Sequence, residues 1–185
     1  IHQGLVITDA FMKAVENNTE YELIDPHYNV VTAKLNAVDV WRKLLTMRAE
    51  TGEPYLIFID TVNEAVPQHH KDMGLLIRQS NLCTEIVLPT TKDRTAVCCL
   101  GNLNLEKWDE WKEQVEEMTY IAVKGLDNNL ETFCEQAPAS HVKAINSVKA
   151  ERSIGLGTMG YHGYLMSNNV PFESVKARMI NKSIY

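Results

Sequence analysis

An α/β architecture is what this sequence predicts, on three observations. Residues 54–62, PYLIFIDTV, form a continuous apolar run of the kind that a strand buried on both faces requires. Residues 106–134 place apolar side chains three or four positions apart, the period of an amphipathic helix. Strand-like and helix-like segments are mixed along the chain, which points to an α/β or barrel-like core. The 185 residues, 45% hydrophobic and 23% charged, fit a globular chain of one-domain length.

Taken in order, residues 4–17 join a short apolar run to a helix announced by Thr8-Asp9. TEYELIDP then reads as a short extended piece stopped by Asp25-Pro26, because proline cannot donate to a strand ladder. The next helix has Asn36 as its N-cap and Val38, Trp41, Leu44, Leu45 and Arg48 along one face, and Gly52 ends it. After the run at 54–62 comes a polar, irregular stretch containing His69 and His70. LCTEIVLPT and RTAVCCLGNLNL bracket a polar break at residues 91–93 and read as two strands, hairpin-like or joined by a loop. In the 106–134 helix, Trp108, Trp111, Val115, Met118, Ala122, Leu126, Leu130 and Phe133 form the apolar stripe. HVKAINSVKAERS is basic, a loop or short helix. GLGTMGYHGYLM passes into a helix that ends near Asn168 and Asn169, and Pro171 opens the last one.

Net charge is −6, which argues against a nucleic-acid surface, since phosphate contacts need clustered Lys and Arg. No apolar run reaches the roughly 18 residues of a membrane span, and four cysteines are too few for a disulfide scaffold. A reducing, cytoplasmic setting is the expectation. The chain begins at Ile1 and reaches Tyr185 within a helical pattern, which predicts a portion of something larger.

Adjacent His69 and His70 have no third ligand at recognisable spacing, so surface residues explain them better than a metal. Cys98-Cys99 is a vicinal pair, outside the C-x-x-C patterns, and Cys134 reads as a small core residue. Residues 155–160, GLGTMG, match the dinucleotide fingerprint G-x-G-x-x-G. That fingerprint needs an apolar strand before it and an acidic residue about 20 positions on. Here a charged stretch precedes it and no second strand follows, so close packing and a tight helix entry account for the glycines.

QSNLCTEIVLP, residues 79–89, is different. Read as a strand, it puts Asn81, Cys83 and Glu85 on one face, neighbours roughly 6.6 Å apart. The plain alternative is a structural cysteine between two polar neighbours. An adjacent carboxylate disfavours a thiolate, and no histidine or helix N-terminus is at hand to activate one. A neutral thiol beside a carboxylate suits hydrogen-atom chemistry better: sulfur takes or returns a hydrogen atom while the carboxylate moves a proton.

QSNLCTEIVLPT resembles the active-site segment S-N-L-C-x-E-I of the large, catalytic subunit of class I ribonucleotide reductase. TAVCCLGNLNL is similar to that family's A-x-C-x-L-x-x-x-N-L segment, and ERSIGLGTMGYHGYL to its R-x-[IL]-G-[IL]-G stretch. GLVITDAFMKAVENNTEYELIDP resembles a further region, so the likeness runs along nearly the whole chain in order. The wording is similar to that of subunits encoded by T-even-type bacteriophages, whose setting is the host cytoplasm.

The resemblance implies a portion of a ten-stranded α/β barrel with its active-site finger, residues 1–185 being internal to that catalytic domain. It implies reduction of ribonucleoside diphosphates to 2′-deoxyribonucleoside diphosphates, supplying DNA synthesis. Cys83 then corresponds to the transient thiyl radical that removes the ribose 3′ hydrogen, Glu85 to the base for the 3′-hydroxyl proton, and Asn81 to the amide that holds the sugar hydroxyls. Ser80, Asn81 and Glu85 form the implied substrate contacts. Cys98 corresponds to one thiol of the pair that ends as a disulfide; its partner lies upstream in the family, and Cys99 is a neighbour only. No cofactor is implied for this segment. The radical comes from a metal-containing small subunit, thioredoxin or glutaredoxin is the reductant, and the full large subunit is a homodimer. ATP and deoxynucleotide effectors bind an N-terminal region with no counterpart here. The substrate-phosphate loop, the relay tyrosines and the C-terminal cysteines also have none. The rivals are a cobalamin-dependent reductase, whose motif reads N-P-C-G-E where this chain has NLCTE, and a non-catalytic or split-gene piece needing a complementary chain.

Overall fold

The computed structural model describes residues 3–185 and divides into two compact units, one ending at Lys92 and one running Asp93–Tyr185. Each unit contains a parallel strand pair whose members are far apart in sequence, and parallel strands need a long crossover, here largely helical.

In the first unit β1 (Gly4–Ile7) pairs in parallel with β4 (Tyr55–Phe58), Gly4 opposite Tyr55 and Ile7 opposite Phe58. Between them come α1 (Asp9–Glu16), an antiparallel hairpin of β2 (Glu20–Asp25) and β3 (Val30–Asn36), and α2 (Ala37–Thr51). The expected caps are in place. Thr8 Oγ1 accepts from Phe11 N at 3.2 Å and Asn36 Oδ1 from Asp39 N at 3.1 Å, while Gly52 closes α2 at φ 79°. Ile7, Phe11 and Ala37 form the buried centre, and Phe11 meets Tyr21 and Trp41 edge-on.

β3 was not apparent from the sequence. Beyond Asp25-Pro26 the chain turns back: Asp25 Oδ1 accepts from His27 N and Tyr28 N, and Asn29 takes the left-handed conformation at φ 53°. The expectation of a strand through residues 54–62 is corrected. The strand stops at Phe58, and α3 (Ile59–Ala65) begins at once. Ile59 and Val62 continue that run at helical spacing and, with Val66 beyond it, pack with Ile57 and Ile77, so one apolar stretch served two elements. The strand is not buried on both faces either, since Phe58 is exposed. The polar stretch after it contains a short helix, α4 (Gln68–Asp72).

In the second unit β5 (Cys99–Asn104) pairs in parallel with β6 (Ile154–Met159). This corrects the hairpin-like pairing expected with residues 82–90, which form no strand. The long helix is shorter than its stripe suggested. After a 3-10 turn at Leu105–Lys107, α5 (Trp108–Trp111) and a second 3-10 turn at Lys112–Gln114 precede α6 (Val115–Gln136). The break has a local cause. Trp111 leaves helical geometry at φ −133° and donates its indole N–H to Asn104 O at 3.1 Å, and its ring stands edge-on to Trp108. The basic segment is helical, α7 (Val142–Glu151). α8 (Tyr161–Ser167) ends at Asn168 as expected, and α9 (Val175–Ile184) starts at the Ser174 cap, four residues beyond Pro171. Among the described residues the strands form three two-stranded sheets, so no barrel closes here, and no helix is long and apolar enough to cross a membrane.

The glycine-rich run is a strand. A Cβ on Gly155 would stand 2.7 Å from Leu100 Cδ2, one on Gly157 2.6 Å from Asn102 Oδ1, and Gly160 turns into α8 at φ 80°. Close packing and tight helix entry thus both hold, and the fingerprint's preceding strand is replaced by the glycines themselves.

Arg152 fastens α7 to α6. Left-handed at φ 46°, it donates from Nε to Asp127 Oδ1 at 2.7 Å and from Nη1 to Glu131 Oε2 at 2.7 Å. The Arg152 guanidinium holds the Asp127 carboxyl below the usual carboxylate range. A depressed folded value means that the contribution is complete above the unfolded value, about 4, and is lost as pH falls through the folded one. The melting-temperature difference between the protein and Arg152→Ala is therefore full at pH 6 and shrinks on acidification. A difference that stays constant with pH contradicts the pairing.

Candidate active site

The segment that carries Asn81, Cys83 and Glu85 is a loop, which corrects the strand reading and with it the alternation argument. Its root is Ile77, 2% exposed in the apolar cluster with Ile57, Ile59 and Val66, and its far end is pinned by buried Pro89. Ser80 Oγ donates to Ile86 O at 2.6 Å and lies 3.2 Å from Asn81 Oδ1. Ile86 N donates to Asn81 Oδ1 at 3.2 Å. These bonds close a ring of seven positions, 80 to 86, at its neck.

A turn forms the apex. Thr84 N donates to Asn81 O at 3.1 Å, and Thr84 adopts φ 68°, a conformation that β-branched residues rarely accept. The turn doubles the chain back far enough for Asn81 Nδ2 to donate to Glu85 Oε1 at 2.7 Å. Amide and carboxylate are therefore joined directly, which no extended strand allows, and Cys83 stands between them in sequence, exposed at the tip. A charge-assisted bond of this length gives the carboxylate a fixed bearing. The amide also offers both a donor and an acceptor to a hydroxylated ligand.

A cavity of about 300 Å³ lies between the inner side of the loop and the β1–β4 pair, lined by Ser80, Asn81 and Thr84 on one side and Val6, Tyr55 and Ile57 on the other. Neither Cys83 nor Glu85 lines it, so the thiol does not face this space.

Cys98 belongs to the second unit, one residue before β5, and is half-buried. Cys99 opens the strand, its N–H donating to Ser153 O at 3.3 Å, and shares a face with Gly101, which abuts Leu126 of α6. All four cysteines are free thiols, Cys134 being half-buried on α6. His69 and His70 sit on α4 with ring centroids 4.5 Å apart. Among the described residues no group of three or more His, Cys, Asp or Glu side chains could hold a metal.

The family model described as "Ribonucleotide reductase, barrel domain" matches residues 1–185. The chain belongs to that family. Ribonucleotide reductase relatives reinforce the match. The ribonucleoside-diphosphate reductase large subunit of Invertebrate iridescent virus 3 is 45% identical over 183 residues, covering 98% of this chain and 29% of that protein. The ribonucleoside-diphosphate reductase subunit alpha of Chlamydia trachomatis is 39% identical over 150 residues, 78% of this chain and 14% of that protein. Among solved structures, the Actinobacillus ureae class Id ribonucleotide reductase alpha subunit superposes with a TM-score of 0.79 at 32% identity, covering 99% of this chain and 32% of that one. The chain thus spans a third or less of these relatives. The fold is α/β, of the reductase barrel family.

Proposed function

We propose that this chain carries the reactive loop of a ribonucleoside-diphosphate reductase large subunit, with Cys83 as hydrogen-atom carrier, Glu85 as base and Asn81 as substrate holder. The observation that carries the proposal is the 2.7 Å bond from Asn81 to Glu85 across a turn whose exposed apex is Cys83.

In this reading a radical generated by a metal-containing small subunit reaches Cys83. The thiyl sulfur takes the ribose 3′ hydrogen, so that a C–H bond breaks and an S–H bond forms. Glu85 accepts the 3′-hydroxyl proton as the 2′-hydroxyl leaves as water. Asn81 and Ser80 hold the sugar hydroxyls, a task for which the amide has both a donor and an acceptor. Cys98 and a second thiol outside this segment supply two electrons and two protons and end as a disulfide. Cys83 then returns its hydrogen to C3′ and is a thiyl again, while Glu85 gives its proton back to the 3′ oxygen. Return of the radical to the small subunit restores the Cys83 thiol. The segment binds no cofactor of its own. Thioredoxin or glutaredoxin re-reduces the disulfide, ATP and deoxynucleotides act elsewhere on a dimeric large subunit, and the setting is the cytoplasm, that of the host if the chain is viral.

The test is the complete large subunit mixed with its small subunit and a ribonucleoside diphosphate. Deoxyribonucleoside diphosphate forms only when the small subunit is present and without cobalamin. No product with a radical-bearing small subunit, or a requirement for cobalamin, overturns the proposal.

A further inference from the structure

Cys83 can act only if the loop bearing it stands in one place, yet among the described residues that loop has no strand partner of its own. What holds its root is Asn63, a residue of α3 that the chemistry above does not use. Asn63 Nδ2 donates to Ile77 O at 2.9 Å, and Asn63 Oδ1 accepts from Ile77 N at 2.8 Å. One carboxamide therefore engages both backbone groups of the residue from which the loop springs, as a neighbouring strand would. Its second N–H donates to Ile59 O at 2.9 Å, one helical turn back, which fixes the rotamer. Donors and acceptor are all in use. Ile77 is also the apolar peg, buried with Ile57 and Ile59, so side-chain packing and backbone pairing converge on this one residue.

Beyond Ile77 the neck bonds at Ser80, Asn81 and Ile86 make the ring 80–86 a self-supporting body. A ring that holds its own shape swings as a unit when its root loosens. We infer that Asn63 is a positioning residue: its carboxamide sets where Cys83 stands relative to the hydrogen it removes. This rests on Cys83 being the hydrogen-atom carrier. A misplacement of about 1 Å costs a reaction of this kind on the order of 100-fold, because the substrate's diphosphate is held by parts of the large subunit outside this segment and does not follow the ring.

The experiment uses the complete large subunit with its small subunit. Asn63→Ala removes all three bonds, and Asn63→Asp keeps the size while placing oxygen where both donors were. Each lowers kcat about 10- to 100-fold with less than about a 3-fold change in KM. With a 3′-deuterated substrate the isotope effect on kcat rises above that of the unaltered enzyme, because hydrogen transfer becomes the slow step. A merely structural defect reduces the amount of active protein and leaves the isotope effect where it was. An unchanged isotope effect in both variants, or both failing to fold by thermal melting, overturns the inference. Cys83→Ser in the same assay separates the two ideas: turnover there refutes the carrier itself, and a silent Cys83→Ser beside a normal Asn63→Ala refutes only the positioning role.

Discussion

Replacement of Cys83 by serine abolishes nucleotide reduction in the complete enzyme, to below detection and not to a fraction. The Cys83→Ser change is nearly isosteric and sits at an exposed loop tip, so it disturbs neither the neck bonds at residues 80, 81 and 86 nor the Asn81–Glu85 pair. What it removes is a weak S–H bond, and the hydroxyl that replaces it is too strong to accept and release a hydrogen atom in the cycle. Were Cys83 a nucleophile, a serine could retain part of a role, as hydroxyls do in acyl transfer. Substrate binding, read by equilibrium titration, stays near that of the unaltered subunit. Measurable turnover by Cys83→Ser contradicts the radical assignment.

The second large effect is on stability. Gly160→Ala costs about 2–4 kcal/mol, because two penalties meet at one position. At φ 80° a side chain is strained whatever the space. The added Cβ also lies 2.9 Å from the backbone N of Glu106 and 2.6 Å from Asn104 Oδ1. Asn104 Oδ1 is already bound to Glu106 N at 3.0 Å, so yielding would uncap the turn that follows β5. Gly155→Ala is the control. Its obstacle, Leu100 Cδ2 at 2.7 Å, is the far end of a flexible side chain that can rotate away. Thermal unfolding therefore shows a much larger drop for Gly160→Ala, and equal drops contradict this account of the glycines.

Helix caps were the most legible feature of the fold. Thr8, Asn36 and Gly52 act through residues three or four positions away, within reach of local pattern. β6 was hidden because glycine has little strand preference of its own. What makes residues 154–159 a strand is the parallel ladder with β5, whose residues lie far away in the sequence, while the space beside Gly155 and Gly157 is taken by the side chains of Leu100 and Asn102. The start of α3 was masked because Ile59 and Val62 continue an apolar run that periodicity alone cannot divide.

At the site, the residue types were readable and the conformation was not. Alternation placed Asn81 and Glu85 on one face of a strand, whereas a left-handed Thr84 brings them into contact through a turn, a conformation that threonine does not announce. Asn63 was invisible for another reason. Its partner Ile77 is 14 positions away, and nothing near Asn63 marks an amide that will pair with backbone.

The division of labour between two thiols is the centre of the proposal, and differential alkylation tests it most directly. The reduced complete enzyme is allowed one turnover without external reductant, quenched, and its free thiols labelled and mapped by mass spectrometry. The account predicts that Cys83 is labelled, its thiol restored as the radical returns to the small subunit, while Cys98 is protected in a disulfide. Product formation with Cys83 protected and Cys98 labelled, or with both labelled, contradicts it.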